Sequence, residues 1–343
     1  MAIGVGIIGC GGISAHHLRG YQQSDARLVM VADPNEEAAR RRAEEAGCAW
    51  VTDYRDLLQC DEIDLVSVCV PNWLHYEVSA AAIEAGKAVL CEKPMTTRVS
   101  DSEALVKLVE ARGAFLQVGY MKRYHPAFQR FKELVGEIGG VETGLLRSYQ
   151  PFPERLWTDP QMWHTQKDKA GGGPLVHAGS HMIDILCWCC GEVAAVDARV
   201  RMRPGTDVDW YTNAILEMKS GATILLEVGW FQHTNFGRHH DGWDELLQLR
   251  SPKGVLTIYS VFWNRADALV PVVEFYREED RTTQVLAFGP VDYFVEEVVD
   301  VVSRVASGRE PAITAHDGYR VDRVIDAIYR SGERAGRLSL DKE

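Results

Sequence analysis

Between Ala2 and about Gly119, short runs of β-branched and apolar residues alternate with amphipathic stretches of helical period. Six runs read as strands: Ile3–Ile8, Arg27–Ala32, Ala49–Val51, Asp64–Val70, Ala88–Cys91 and Phe115–Gly119. This alternation predicts βαβ units on a parallel sheet. The helices between them carry boundary signals. His75–Ala85 ends at Gly86, and Ser100-Asp101-Ser102-Glu103 has the spacing of a capping box that opens a helix running to Gly113. Beyond Tyr120 the rhythm changes. A helix after Pro126, a strand through Val141–Tyr149, a loop rich in Pro and Trp (Gln150–Gly173) and an apolar helix over about Pro174–Cys190 come first. Seven strand-like runs then follow in succession: Ala194–Arg203, Ala214–Met218, Thr223–Phe231, Glu245–Arg250, Val255–Tyr259, Val272–Tyr276 and Gln284–Phe288. Strands without helices between them predict an antiparallel sheet. Two helices, Val291–Ser307 and Asp317–Arg334, close the chain, the second with Val321, Val324, Ile325 and Ile328 on one face. The expected class is α/β: a doubly wound parallel sheet over residues 1–120, then an α+β domain over residues 121–343 on a large open, mostly antiparallel sheet. The last helix is placed to pack back on the first domain.

Length agrees, since 343 residues at about 150 per domain make two domains. The 37 Lys and Arg against 49 Asp and Glu leave a net charge of −12, which repels a phosphate backbone, so nucleic acid is excluded as a partner. The densest basic run, Arg40-Arg41-Arg42, is followed by Glu44-Glu45 and reads as a solvated helix face. No apolar stretch approaches the roughly 18 residues that cross a bilayer, and the glycine-rich start lacks the basic residues of a signal peptide. A cytoplasmic protein with no membrane partner is expected. The eight cysteines, several of them in strands, read as reduced thiols.

Chemistry enters at Gly9-Cys10-Gly11-Gly12-Ile13-Ser14, a Gly-x-Gly-x-x-Ser turn between the first strand and a helix. Gly9 permits the tight turn, Gly11 lets backbone approach a pyrophosphate, and the helix N-terminus offers N–H groups and a favourable dipole. Asp33 stands at the end of the second strand, where a carboxylate reaches the adenosine ribose. It would repel a 2′-phosphate, which favours NAD over NADP; capping the next helix is its other reading. At the end of the fifth strand, Glu92-Lys93-Pro94 places a lysine where doubly wound sheets bind ligands, with Pro94 restricting Lys93 to an extended backbone.

Together with Val70-Pro71-Asn72-Trp73-Leu74-His75, Glu84-Ala85-Gly86-Lys87, Tyr120–Pro126 and Gly171-Gly172-Gly173, these motifs fall in the order and spacing of the Gfo/Idh/MocA oxidoreductases. The chain resembles that family over nearly its whole length. The resemblance implies an NAD(P)-binding Rossmann domain, a hydride transfer at a secondary alcohol of a sugar, inositol or related polyol, and a homodimer or homotetramer. It puts Lys93 at the nicotinamide and the reacting oxygen. Gly9, Gly11, Gly12, Ile13, Asp33, Pro71, Asn72, His75, Glu92 and Lys93 become the cofactor residues, and Tyr120 and Arg123 join the substrate set.

Gly171-Gly172-Gly173-Pro174 reads as a flexible loop into a helix with Pro in its first turn. Along that helix His177, His181, Asp184 and Trp188 share one stripe. Two histidines and a carboxylate on an apolar helix are costly to bury without partners, which points to a cleft. The family usually carries Asp-x-x-x-His here; His181 matches the second position, while His177 replaces the Asp and its negative charge. His181 is therefore the expected general base and Lys93 the donor to the developing alkoxide, with Asp184 available to fix the His181 tautomer. His177, with Arg155, Trp157, Trp163 and His164 of the preceding loop, is expected in the substrate pocket. No metal is expected, although His177 and His181 could share an ion with Glu154, Asp159 or His164. The rival activity is a redox-neutral one within the same family: glycoside cleavage using bound NAD, or a keto-sugar lyase or hydratase using a metal.

Overall fold

The computed structural model describes residues 2–159, 162–261 and 270–340. They form two compact units: the chain up to Met121 with Tyr293–Tyr319, and Lys122–Asp292 with the chain from Arg320 onward. In the first unit, strands β1 (Gly4–Ile8), β2 (Arg27–Ala32), β3 (Ala49–Val51), β4 (Leu65–Val68), β5 (Ala88–Cys91) and β6 (Leu116–Val118) alternate with α1 (Ser14–Gln22), α2 (Glu36–Ala46), α3 (Tyr54–Leu58), α4 (His75–Glu84) and α5 (Val99–Arg112). The six strands are parallel, in the order β3-β2-β1-β4-β5-β6. Strand order reverses between β1 and β4, and ligands bind beyond the strand ends at such a switch point. β1 and β4 are buried at every position, as expected of parallel strands covered on both faces. The capping box does not form. α5 starts at Val99, so Ser100 lies inside the helix and Glu103 pairs with Lys107 one turn on.

The second unit contains α6 (Pro126–Glu137), β7 (Thr143–Pro151), α7 (Glu154–Trp157), α8 (Lys167–Ala170), α9 (Ser180–Cys190), then β8 (Val193–Met202), β9 (Asp209–Met218), β10 (Thr223–Phe231), β11 (Asp244–Ser251), β12 (Gly254–Tyr259), β13 (Val272–Arg277) and β14 (Thr282–Ala287). Its nine-stranded sheet has the order β14-β13-β12-β11-β7-β10-β9-β8-β15, where β15 is Leu338–Ser339. Every pair is antiparallel except β7 with β10, which the crossover through α9 brings side by side. Burial alternates along β8 and β9, and Met202, Ile215 and Leu225 lie exposed on the open face.

Two helices follow, α10 (Tyr293–Ser307) and α11 (Ala315–Arg334). α10 lies in the first unit, where Val298, Val301 and Val302 share a core with Val5 and Ile7 of β1 and with Leu18 and Tyr21 of α1. Gly20 makes this possible, since a Cβ there would stand 2.5 Å from that of Val298. α11 opens in the first unit and continues in the second.

Candidate functional site

In the first unit the loop after β1 turns sharply at Gly9, whose φ is +94° and where a Cβ would lie 2.5 Å from the Cys69 carbonyl oxygen. Its N–H donates to the Ala32 carbonyl at 2.8 Å. Gly11 and Gly12 are exposed, and nothing lies within 4 Å of where a Cβ would sit. Ile13 stands at the N-cap of α1, and no side chain caps that end. An open glycine pair over an uncapped helix N-terminus fits a dinucleotide pyrophosphate.

Asp33 braces this loop, its Oδ2 accepting from the Cys10 N–H at 2.8 Å and its Oδ1 from the Asn35 N–H at 2.8 Å. The cap of α2 is Asn35, whose Oδ1 accepts from the Ala38 N–H, so Asp33 does not cap that helix itself. From below, buried Arg42 donates to the Gly11 carbonyl at 3.2 Å.

At the ends of β4 and β5, Pro71 leads into a short turn at Asn72–Leu74, where Asn72 is buried, and His75 opens α4. His75 is 1% exposed, with Nδ1 2.6 Å from the Pro94 carbonyl and Nε2 2.9 Å from that of Val70. Burial lowers its pKa despite those two bonds. It stands between the turn after β4 and the Glu-Lys-Pro segment with a carbonyl oxygen at each ring nitrogen, of which the neutral imidazole donates to one. Lys93 is half-buried and its peptide bond to Pro94 is cis. Glu92 is buried; its Oε2 accepts from the Lys93 N–H at 3.2 Å and its Oε1 meets His17 Nε2 at 2.9 Å. His17 Nδ1 is 2.9 Å from Ser67 Oγ, which is 2.6 Å from the Tyr21 hydroxyl. Burial alone would raise the pKa of Glu92, but the His17 hydrogen bond and charge, with Lys93, hold it below the usual carboxylate value. Sequence reasoning missed this chain. Its one signal is that His17 and Tyr21, one turn apart, lie on the buried face of α1. Tyr120 is fully buried.

In the second unit the helix with the two histidines opens as a π turn over Leu175–Gly179 and becomes α-helical at Ser180. His177 therefore sits on wider winding than His181, and the stripe is not one continuous α-helical face. Protein atoms close in on the second and third glycines of the triple. A Cβ on Gly172 would lie 2.0 Å from the Tyr329 hydroxyl, and one on Gly173 would lie 2.1 Å from the Asp209 carbonyl oxygen. Asp209, fully buried on β9, fastens the loop by accepting from the Gly173 N–H at 2.7 Å, the Leu175 N–H at 3.2 Å, the Tyr329 hydroxyl at 2.5 Å and the Thr212 hydroxyl at 3.3 Å. Burial outweighs these bonds and raises its pKa.

Around His177 the aromatic rings form a ladder. Trp163 stacks on His164 at 3.7 Å between centroids, His164 lies 4.8 Å from His177, His177 stacks on Trp230 at 5.5 Å, and Trp230 on Phe152 at 4.2 Å. Trp157 packs against Phe152 and Trp230, whereas Arg155 is exposed. Trp243 donates its indole N–H to Glu245; Trp263 lies outside the described residues. His181 and Asp184 are buried, and the carboxylate is balanced by Arg123, which donates from Nε to Oδ2 at 2.9 Å and from a terminal nitrogen to Oδ1 at 2.5 Å. The buried Asp184 carboxylate thus has its counter-charge in Arg123. A second buried pair, Lys122 with Glu245, is completed by Ser260, Ser148 and Gln150. Among the described residues no three His, Cys, Asp or Glu are grouped to hold a metal. Burial pushes the Cys187 and Cys190 thiols up to about 12, away from reactive thiolates.

Residues 3–120 match the model of the oxidoreductase family with an NAD-binding Rossmann fold, and residues 128–243 match the GFO/IDH/MocA C-terminal domain. The chain is 28% identical to D-xylose 1-dehydrogenase (NADP(+)) 2 of Haloferax volcanii, over 98% of this chain and 99% of that protein. It is 34% identical to inositol 2-dehydrogenase 3 of Saccharopolyspora erythraea, over 66% of this chain and 67% of that protein. Its fold is shared with a levoglucosan dehydrogenase solved with NADH and levoglucosan, with a TM-score of 0.85 at 24% identity, covering 99% and 100% of the two chains.

Proposed function

Because the chain belongs to the Gfo/Idh/MocA oxidoreductases, we propose that it transfers hydride between a secondary alcohol carbon of a sugar or cyclic polyol and NAD. The observation that carries this reading is the open Gly11–Gly12 loop over the uncapped α1, in the same unit as the half-buried Lys93. Gly9, Gly11, Gly12, Ile13, Asp33, Pro71 and Asn72 hold the dinucleotide. When bound, its nicotinamide supplies the hydride acceptor of the oxidative direction. His181 takes the hydroxyl proton on an imidazole nitrogen, and the Lys93 ammonium donates to the oxygen as negative charge builds on it. His177 hydrogen-bonds a further substrate hydroxyl without the charge a carboxylate would bring. Trp163, at the end of the ring ladder, suits the C–H face of a sugar.

Asp33 favours NAD, since its carboxylate opposes a 2′-phosphate. Its brace on Cys10 uses one lone pair of Oδ2 and leaves another for a ribose hydroxyl. The eight free thiols suit a reducing, cytoplasmic setting, and the exposed Met202, Ile215 and Leu225 on the open sheet suit self-assembly into a dimer or tetramer.

The test incubates purified protein with NAD or NADP and a panel of sugars, polyols and glycosides, following nicotinamide absorbance and product masses. Net NADH with at least one polyol or sugar is expected, and Lys93→Met and His181→Asn should each lower kcat about 10²- to 10⁴-fold. Glycoside cleavage without net NADH, or no turnover across the panel, would refute the reading.

A further inference from the structure

The buried chain beneath the Glu-Lys-Pro segment ends on the residue assigned to the developing alkoxide. In its neutral form each member donates once: the Tyr21 hydroxyl to Ser67 Oγ at 2.6 Å, the Ser67 hydroxyl to His17 Nδ1 at 2.9 Å, and His17 Nε2–H to Glu92 Oε1 at 2.9 Å. Tyr21, Ser67 and His17 are at most 2% exposed, so Ser67 cannot meet a substrate and the chain is no nucleophilic triad. The far oxygen of Glu92 holds the Lys93 N–H at 3.2 Å.

We propose that His17 is a positioning residue for Lys93, acting through Glu92, which it fixes in place as the partner of the Lys93 backbone. A carboxylate this deeply buried stays ionised only with a partner, and His17 is the side chain that supplies one. Ionised Glu92 in turn favours the protonated form of Lys93, the form that donates to a developing alkoxide. The titratable groups bearing on Glu92 are His17 from α1, His75 from α4 and Lys93 itself, with the Cys69 thiol just beyond β4. Without the imidazole, Glu92 loses its hydrogen-bonded side-chain partner, its carboxylate is less favoured in the ionised form, the clamp on the Lys93 N–H loosens and the counter-charge to the ammonium weakens.

The inference rests on the reading of Lys93 as the alkoxide donor, and its test separates the two. Lysines are reductively methylated with ¹³C-formaldehyde, and the Lys93 signal, assigned by its absence in Lys93→Arg, is titrated by NMR without substrate. His17→Phe should lower the Lys93 pKa by about one unit. It should also lower kcat about 100-fold while NAD affinity changes less than about threefold. His17→Gln, which keeps a donor toward Glu92, should recover most of both, and Ser67→Ala should lower stability but leave the Lys93 titration unmoved. If His17→Phe does not fold, Glu92→Gln removes the counter-charge at constant volume and should shift the titration equally. An unmoved titration in His17→Phe, or in Glu92→Gln where the former does not fold, overturns the inference. Absence of turnover by the unmodified protein overturns the functional reading alone, since the titration needs no reaction.

Discussion

The two glycine-rich loops use the same residue for opposite ends. At Gly11 and Gly12 the missing Cβ leaves open space above the start of α1, where a ligand's phosphates can meet backbone. At Gly172 and Gly173 the missing Cβ is already filled by protein, namely the Tyr329 hydroxyl and the Asp209 backbone. The first pair leaves room for the pyrophosphate proposed above, and the second is packed against the protein that holds the His177 turn. Gly9 belongs to the first loop by sequence but to the second kind by physics, because a positive φ and the Cys69 carbonyl both exclude a side chain. A glycine motif therefore does not reveal whether it marks a ligand until its surroundings are known.

Alanine substitutions sharpen this contrast. Gly9→Ala combines left-handed strain with a backbone clash and should cost about 4 kcal/mol of stability, read from the urea midpoint. Gly173→Ala has no strained φ but meets the Asp209 carbonyl; about 3 kcal/mol is expected, with the His177 signal displaced in the NMR spectrum of the folded fraction. Gly12→Ala should change stability by less than about 0.5 kcal/mol, yet weaken NAD binding at least about tenfold by calorimetry. A large stability loss in Gly12→Ala, or a tolerated Gly173→Ala, would collapse the distinction.

The local half of this site was legible because its signals are local. Gly9, Asp33 and Glu92-Lys93-Pro94 each end a strand, and the alternation of strands and helices fixes which ends they occupy. The capping box fails for the same reason it is tempting: Ser100 and Glu103 have the correct spacing, but the chain enters α5 two residues earlier, with Arg98 at the N-cap and Val99 the first helical residue. The stripe on the second helix points to a cleft because two histidines and a carboxylate on an apolar helix show no partners in sequence, and only the fold shows what balances Asp184. Its partner, Arg123, is 61 residues away. His17 carries only the signal of its spacing from Tyr21 on α1, which marks a buried face but no role until Ser67 and Glu92 meet it.

By itself the sequence determined the periodic elements, the parallel character of the first sheet, the antiparallel character of most of the second, and the family. The elements and the character of the two sheets follow from spacing along the chain, since backbone geometry converts a period of two or of 3.6 residues directly into a buried face, whereas the family rests on the resemblance of its motifs. Tertiary structure alone decided that Asp209 and Tyr329, 120 residues apart, clamp the His177 turn, that Lys122 finds Glu245 across 123 residues, and that α10 returns to cover α1. Buried polar groups must find partners wherever the fold brings them, and that matching leaves no period to read.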